Sequence, residues 1–218
     1  MQIKELILEA ADPAALKRFY EEKLELPVAV SKNSITISTA SSRLVFKKTN
    51  KGKPFYHFAF TIPANSIEKA HAWLKDKVQL VMIGDYKSEI ADFVNWHAKS
   101  VYFFDAAGNI VELIARFDFG NATDEPFSSS QFLSISEVGL VFNSRELDEK
   151  TNQLLAEYNL SYFDKQPPLP QFKALGNDEG LFIIAPAGRS WYPTTVPCGI
   201  FPMEVKFEEK GKKWELKV

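Results

Sequence analysis

The sequence predicts an α+β protein assembled from repeated strand–helix–strand units, and three observations carry that reading. An alternating strand leads into a helical segment three times along the chain. The segments after each helix are short, β-rich and separated by polar turns. A tight hairpin, Val101–Ala115, closes the second unit, with Asp105, Gly108 and Asn109 supplying turn chemistry between two apolar runs.

In the first unit Ile3–Glu9 alternates, with Leu6 and Leu8 on one face and Glu5, Ile7 and Glu9 on the other. Asp12 caps a helix that has Pro13 at its first position and Leu16, Phe19, Tyr20 and Leu24 as its apolar stripe. Pro27 ends it, and strands are expected at Val28–Val30, Ile35–Thr39 and Leu44–Lys47. The second unit repeats the order: strand Phe55–Ile62, helix Pro63–Lys77, strand Val78–Ile83, a loop Gly84–Lys99, then the hairpin. Phe117–Gln131 is polar and holds Gly, Ser, Asp and Pro, so it reads as a linker. Beyond it come a strand Leu133–Phe142, a helix Glu146–Tyr158 and short strands Phe172–Leu175 and Leu181–Ala185. A further hairpin, Met203–Glu208 with Lys213–Val218, turns at Lys210-Gly211 and has no earlier counterpart. The expected division is two units over 1–117, a linker at 118–131, and a third unit with its hairpin over 132–218.

With 218 residues the chain is long enough to bury a real core. A net charge of -2 gives no electrostatic case for nucleic acid or an acidic membrane surface. No apolar run approaches transmembrane length, and MQIKELILEA lacks the layout of a signal peptide. Cys198 is the single cysteine, which excludes an internal disulfide framework and a thiolate zinc cluster. A cytoplasmic protein acting on a small molecule is the economical expectation.

Glu112 stands alone in Ile-Val-Glu-Leu-Ile-Ala. A buried carboxylate is costly unless a cation, a metal or hydrogen-bond donors meet it. A partner Arg or Lys, or a solvated strand face, would also account for it. Aligning the three first strands gives Lys4-Glu5-Leu6-Ile7-Leu8, Tyr56-His57-Phe58-Ala59-Phe60 and Ser136-Glu137-Val138-Gly139-Leu140. The strand period of two therefore puts Glu5, His57 and Glu137 on the face opposite the helices. Glu112 shares a face with Ile110 and Ile114.

Three stretches carry a family resemblance: Asp12…Phe19-Tyr20…Leu24-Glu25-Leu26-Pro27, His57-Phe58-Ala59-Phe60, and Phe104-Asp105-Ala106-Ala107-Gly108-Asn109-Ile110-Val111-Glu112-Leu113. The chain resembles the vicinal oxygen chelate superfamily of glyoxalases, extradiol dioxygenases and bleomycin-resistance proteins. Ala106 departs from that signature, where proline is usual. The resemblance implies two βαβββ modules forming a cupped mixed sheet, helices outside, with a divalent metal (Fe, Mn, Ni or Zn) on the concave face. It names Glu5, His57 and Glu112 as metal ligands, with His57 and Glu112 as the catalytic pair. Glu5 stands where dioxygenases have a histidine, and the strand Arg43–Lys47 offers no fourth acid. Glu137 is read as structural, paired with a nearby cation.

Trp96, His97, Arg189 and Trp191 are expected to line the substrate pocket. Arg189 would grip an anion while aromatic rings stack on it; an aromatic anchor packing down the tail is the alternative. The function expected is that of a metal-dependent dioxygenase or lyase acting on a small carbonyl or aromatic substrate. The alternative is a metal-free ligand-sequestering protein. The odd third unit is expected to cover a sheet edge or to pair with its copy in a homodimer.

Overall fold

Thirteen strands joined in one mixed sheet form the framework of the computed structural model, which describes residues 1–84 and 87–218. The first unit comprises β1 (Gln2–Ala10), α1 (Pro13–Arg18), β2 (Val28–Ser31), β3 (Ser34–Ser38) and β4 (Arg43–Lys48). Asp12 caps α1 by accepting from the Ala15 amide at 3.1 Å, and the helix widens into a π-helical turn over Phe19–Lys23. The second unit runs β5 (His57–Ile62), α2 (Ile67–Lys75), β6 (Ile90–Phe93), β7 (Ala98–Phe104) and β8 (Ile110–Arg116). The third holds β9 (Ser134–Phe142), α3 (Leu147–Glu157), β10 (Lys173–Asn177) and β11 (Gly180–Pro186), followed by the hairpin β12 (Met203–Glu209) and β13 (Lys212–Lys217). This is the α+β class that the alternating strands and short helices foretold.

Two expectations inside the second unit change. Val78–Ile83 makes only isolated bridges, Leu80 to Phe103 and Ile83 to Ser88. Its buried residues, Leu80 and Ile83, are three apart, a spacing that a regular strand cannot turn to one face. The expected loop 84–99 instead contributes β6, which pairs with β7, while 85–86 lie outside the described residues.

The pairing of units also differs from what the resemblance implied. β5 runs antiparallel to β9, not to β1, with Phe58 opposite Val138 and Ala59 opposite Glu137. β1 instead takes β12 as its antiparallel partner, with Leu6 opposite Val205 and Leu8 opposite Met203. Two curved arrays result: β6-β7-β8-β5-β9-β11-β10 and β2-β3-β4-β1-β12-β13. A single pair, Ile3 with Ile135, links them. The edge of β1 is satisfied by β12, which leaves β5 free to pair with the third unit. Two of the three first strands carry a bulge just before their acidic residue: Lys4 is extra before Glu5 in β1, and Ser136 before Glu137 in β9.

α1 packs on β3 and β4, α2 on β7 and β8, and α3 on β11. The large core between helices and sheet holds Leu6, Phe46, Phe58, Phe60, Leu113 and Leu140. A second cluster, containing Tyr102, Phe163, Ile183 and Trp191, lies on the face of the second and third units opposite the helices. Among the described residues no helix is long and apolar enough to cross a membrane.

The Asp105 turn fastens the hairpin to the rest of the core. Its carboxylate accepts from the amides of Ala107 (2.9 Å) and Asn109 (3.0 Å), from the Asn109 side chain (2.7 Å) and from the Tyr20 hydroxyl (2.8 Å). Asn109 in turn accepts from the Tyr56 amide at 2.8 Å, which fixes the start of β5. Gly108 holds φ +83°, the left-handed conformation the turn requires. Asp105→Ala strands several buried donors at once, so it is expected to cost on the order of 3 kcal/mol. A urea unfolding midpoint unchanged in that variant would contradict this account.

Candidate metal centre and pocket

Three adjacent strands, β9, β5 and β8, set the geometry of the site. Glu137 lies opposite Ala59 on one side, and Glu112 lies beside Ala59 on the other. His57, two residues before Ala59, shares its face. The small Ala59 side chain leaves the space over its strand open to both carboxylates. The ligand atoms of His57, Glu112 and Glu137 all fall within 4.8 Å of one another, and the three residues are 5%, 2% and 3% exposed.

Each member is held from behind. His57 Nδ1 lies 3.2 Å from the Ile110 carbonyl, so Nδ1 carries the proton and Nε2 presents a lone pair. That Nε2 is 3.5 Å from Glu112 Oε2. Ser100 donates to Glu112 Oε1 at 2.5 Å, and Tyr102, opposite Glu112 on β7, also hydrogen-bonds to it. Glu137 Oε1 pairs with Arg116, which also reaches Asp178 at 3.3 Å. The Arg116 guanidinium is fully buried, 5.6 Å from the centre of the Trp96 ring and 5.8 Å from that of Phe163.

The electrostatics follow from burial. Desolvation pushes His57 down to about 4, against the smaller opposing effect of the Ile110 carbonyl. Desolvation, then the neighbouring Glu137, raises Glu112 to about 8. Glu137 is also raised by burial, with Arg116 opposing. His57 and Glu112 are therefore not an ion pair at neutral pH. A neutral imidazole lone pair beside two desolvated carboxyl groups is a donor set that a divalent cation satisfies.

The three groups form the floor of a cavity of about 250 Å³. Its walls include Trp96, Tyr102, Phe172, Arg189, Trp191 and Tyr192. Trp191 packs against His57 with ring centres 5.1 Å apart and planes tilted by 46°. It reaches that position because residue 139 is glycine: a Cβ there would stand 2.5 Å from the Trp191 ring.

The structure redistributes the sequence-derived candidates. His57 and Glu112 come together, and Trp96, Arg189 and Trp191 line the cavity. Glu5 is not in the group. Its carboxylate sits on the other array between Arg43 and Lys206, each at 2.7 Å, because β1 pairs with β12. His97 is not a lining residue: its side chain is 67% exposed, it adopts a left-handed φ of 48°, and it faces Asp118 at 3.4 Å. Glu137 does pair with a cation, as expected, yet it also completes the cluster. The signal that it belonged there was its alignment with His57 in the repeat.

Neither protein-family models nor curated proteins match the sequence. Solved structures do. A provisionally named dioxygenase from Bacillus subtilis superposes at TM-score 0.59 over 91% of this chain and 65% of its own, with 15% identity. A glyoxalase I variant from Zea mays gives TM-score 0.56 over 90% and 70%, with 12% identity. The chain has the vicinal oxygen chelate fold. It spans 65% of the length of the Bacillus subtilis structure. Within this fold the sheet face opposite the helices carries the His57, Glu112 and Glu137 cluster.

Gly139→Val is expected to drive Trp191 off His57 and to destabilise the protein by about 1–3 kcal/mol. Thermal unfolding with tryptophan emission checks it, since a displaced Trp191 shifts emission to the red; an unshifted spectrum at wild-type stability would refute the packing described.

Proposed function

We propose that the chain is a divalent-metal-dependent enzyme of the dioxygenase or lyase type, acting on a small carbonyl or aromatic substrate with two adjacent oxygens. The observation that carries this reading is the convergence of His57, Glu112 and Glu137 at the floor of an aromatic cavity. One nitrogen and two carboxylate donors suit Fe(II), Mn(II), Ni(II) or Zn(II). Such a metal supplies Lewis-acid polarisation of substrate oxygens, or oxygen chemistry if it is iron.

The chain's own residues prepare the site. The Ile110 carbonyl fixes the His57 tautomer, and Ser100 holds one Glu112 oxygen while Oε2 faces His57. Arg116 orients Glu137 and offsets part of the carboxylate charge. Trp191 covers His57 and keeps bulk water off it. At about 250 Å³ the cavity lies just below the range for small-molecule sites, about 300–1,000 Å³, so it suits a substrate no larger than a single ring. A metal-free ligand-sequestering cup has no need of a carboxyl group as deeply buried as Glu112 beside a neutral histidine, where Ser100 and Tyr102 offset only part of its desolvation.

The test is elemental analysis of untagged protein incubated anaerobically with each metal. Stoichiometric retention is expected, lost in His57→Ala, Glu112→Gln and Glu137→Gln and kept in Glu5→Gln. Failure of the unaltered protein to retain any of the four metals retires the enzyme reading. Loss in Glu5→Gln with retention in Glu137→Gln would restore the ligand set that the family resemblance implied.

A further inference from the structure

We propose that Arg189 is the anion-recognising residue of this cavity, so that the ligand is a single planar ring bearing a carboxylate in addition to its two adjacent oxygens. The proposal rests on reading the cavity as the ligand site and deepens it by naming the ligand class.

The arginines of the chain separate cleanly. Arg43 and Arg116 are paired with carboxylates, and Arg18 and Arg145 are exposed. Arg189 alone is partly buried in a cavity wall with no acidic group within 4.0 Å among the described residues. Among the described residues its side chain donates one hydrogen bond, to the Ser190 carbonyl at a long 3.4 Å. A guanidinium carries five donors in a rigid plane matched to a carboxylate, and most of that capacity is unspent here. The Phe172 ring lies 5.3 Å from the guanidinium carbon and backs it from one side.

The segment that presents Arg189 is fixed in place. Cys198 donates to the Arg189 carbonyl at 2.7 Å, Gly188 to the Cys198 carbonyl at 2.9 Å, and Trp191 to the Val196 carbonyl at 2.9 Å. The same segment contributes Trp191 and Tyr192, so cation and aromatic walls arrive together on one braced loop. Charge points the same way. Arg116 is spent on Glu137 and Asp178, which leaves the Arg189 guanidinium as the cation of the cavity wall with no acidic group within 4.0 Å among the described residues. A cavity so charged, walled by aromatic rings and about 250 Å³ in volume, selects a small flat anion.

Tryptophan quenching tests this directly, because Trp96 and Trp191 line the cavity. The probes are 3,4-dihydroxybenzoate, 2,3-dihydroxybenzoate, their methyl esters and catechol, titrated into metal-loaded and metal-stripped protein. At least one acid is expected to bind about tenfold or more tighter than its ester, the size of one charge-assisted hydrogen bond. Arg189→Gln should bring that acid down to the ester's affinity, and Arg189→Lys should restore part of the difference. A preference for the acid that depends on Arg189 but persists in protein retaining no metal would support this proposal while the metal reading fails. Equal affinity of acid and ester in metal-loaded protein, an acid preference that survives Arg189→Gln, or no saturable quenching by any probe would overturn the proposal.

Discussion

The register of β5 against its two neighbours is the constraint on which the candidate site depends. Ala59 stands between Glu137 and Glu112, so the antiparallel and the parallel ladder must both be in register to bring two carboxylates across one small side chain. A slip of one residue in either ladder would send a glutamate into the helix-side core. The bulge at Ser136 corrects the phase of β9, keeping Ile135 in the helix-side core together with Val138 and Leu140 while Glu137 faces the other way. Arg116 then answers the cost of burying Glu137, and Trp96 and Phe163 shield that pair from water.

The two arrays show why only one of them assembles this cluster. Glu5, His57 and Glu137 occupy equivalent places on their first strands, next to Arg43, Ile110 and Leu181 on the parallel partner strand. Two residues farther along those partners stand Val45, Glu112 and Ile183. Only the second unit has an acid there. In the other array Glu5 meets two cations, Arg43 and Lys206, and its charge is neutralised by the protein itself. One repeat geometry thus gives an ion-paired surface in one place and a cluster of unspent donors in another, according to a few side chains.

Much of this was legible in the sequence because it is local. Strand parity placed His57 and Glu137 opposite the helices, the Asp105–Asn109 turn announced the hairpin, and the isolation of Glu112 marked it for explanation. What was not legible is long-range. Whether β5 meets β1 or β9 depends on how the edge of β1 is closed, and the residues that close it are in β12. Glu5 therefore had the right residue type and the right parity in the wrong array. His97 misled for a different reason. Its neighbours Phe93 and Trp96 are aromatic and do pack by the cavity, but a left-handed turn at His97 swings its own side chain outward.

The pairing of β1 with β12 also bears on how the chain is made. Glu5 meets Lys206 across 201 residues. At synthesis rates of about 5–20 residues per second, β1 waits roughly 10–40 s for its partner to emerge. Through that interval its edge is an open template, with Leu6 and Leu8 on one side of it, of the kind that invites pairing with another nascent chain. Lys4, Glu5 and Glu9 put charge along that strand. In the finished protein Glu5 is an ion-pair residue; on an unpaired edge the same charge works against strand-to-strand association.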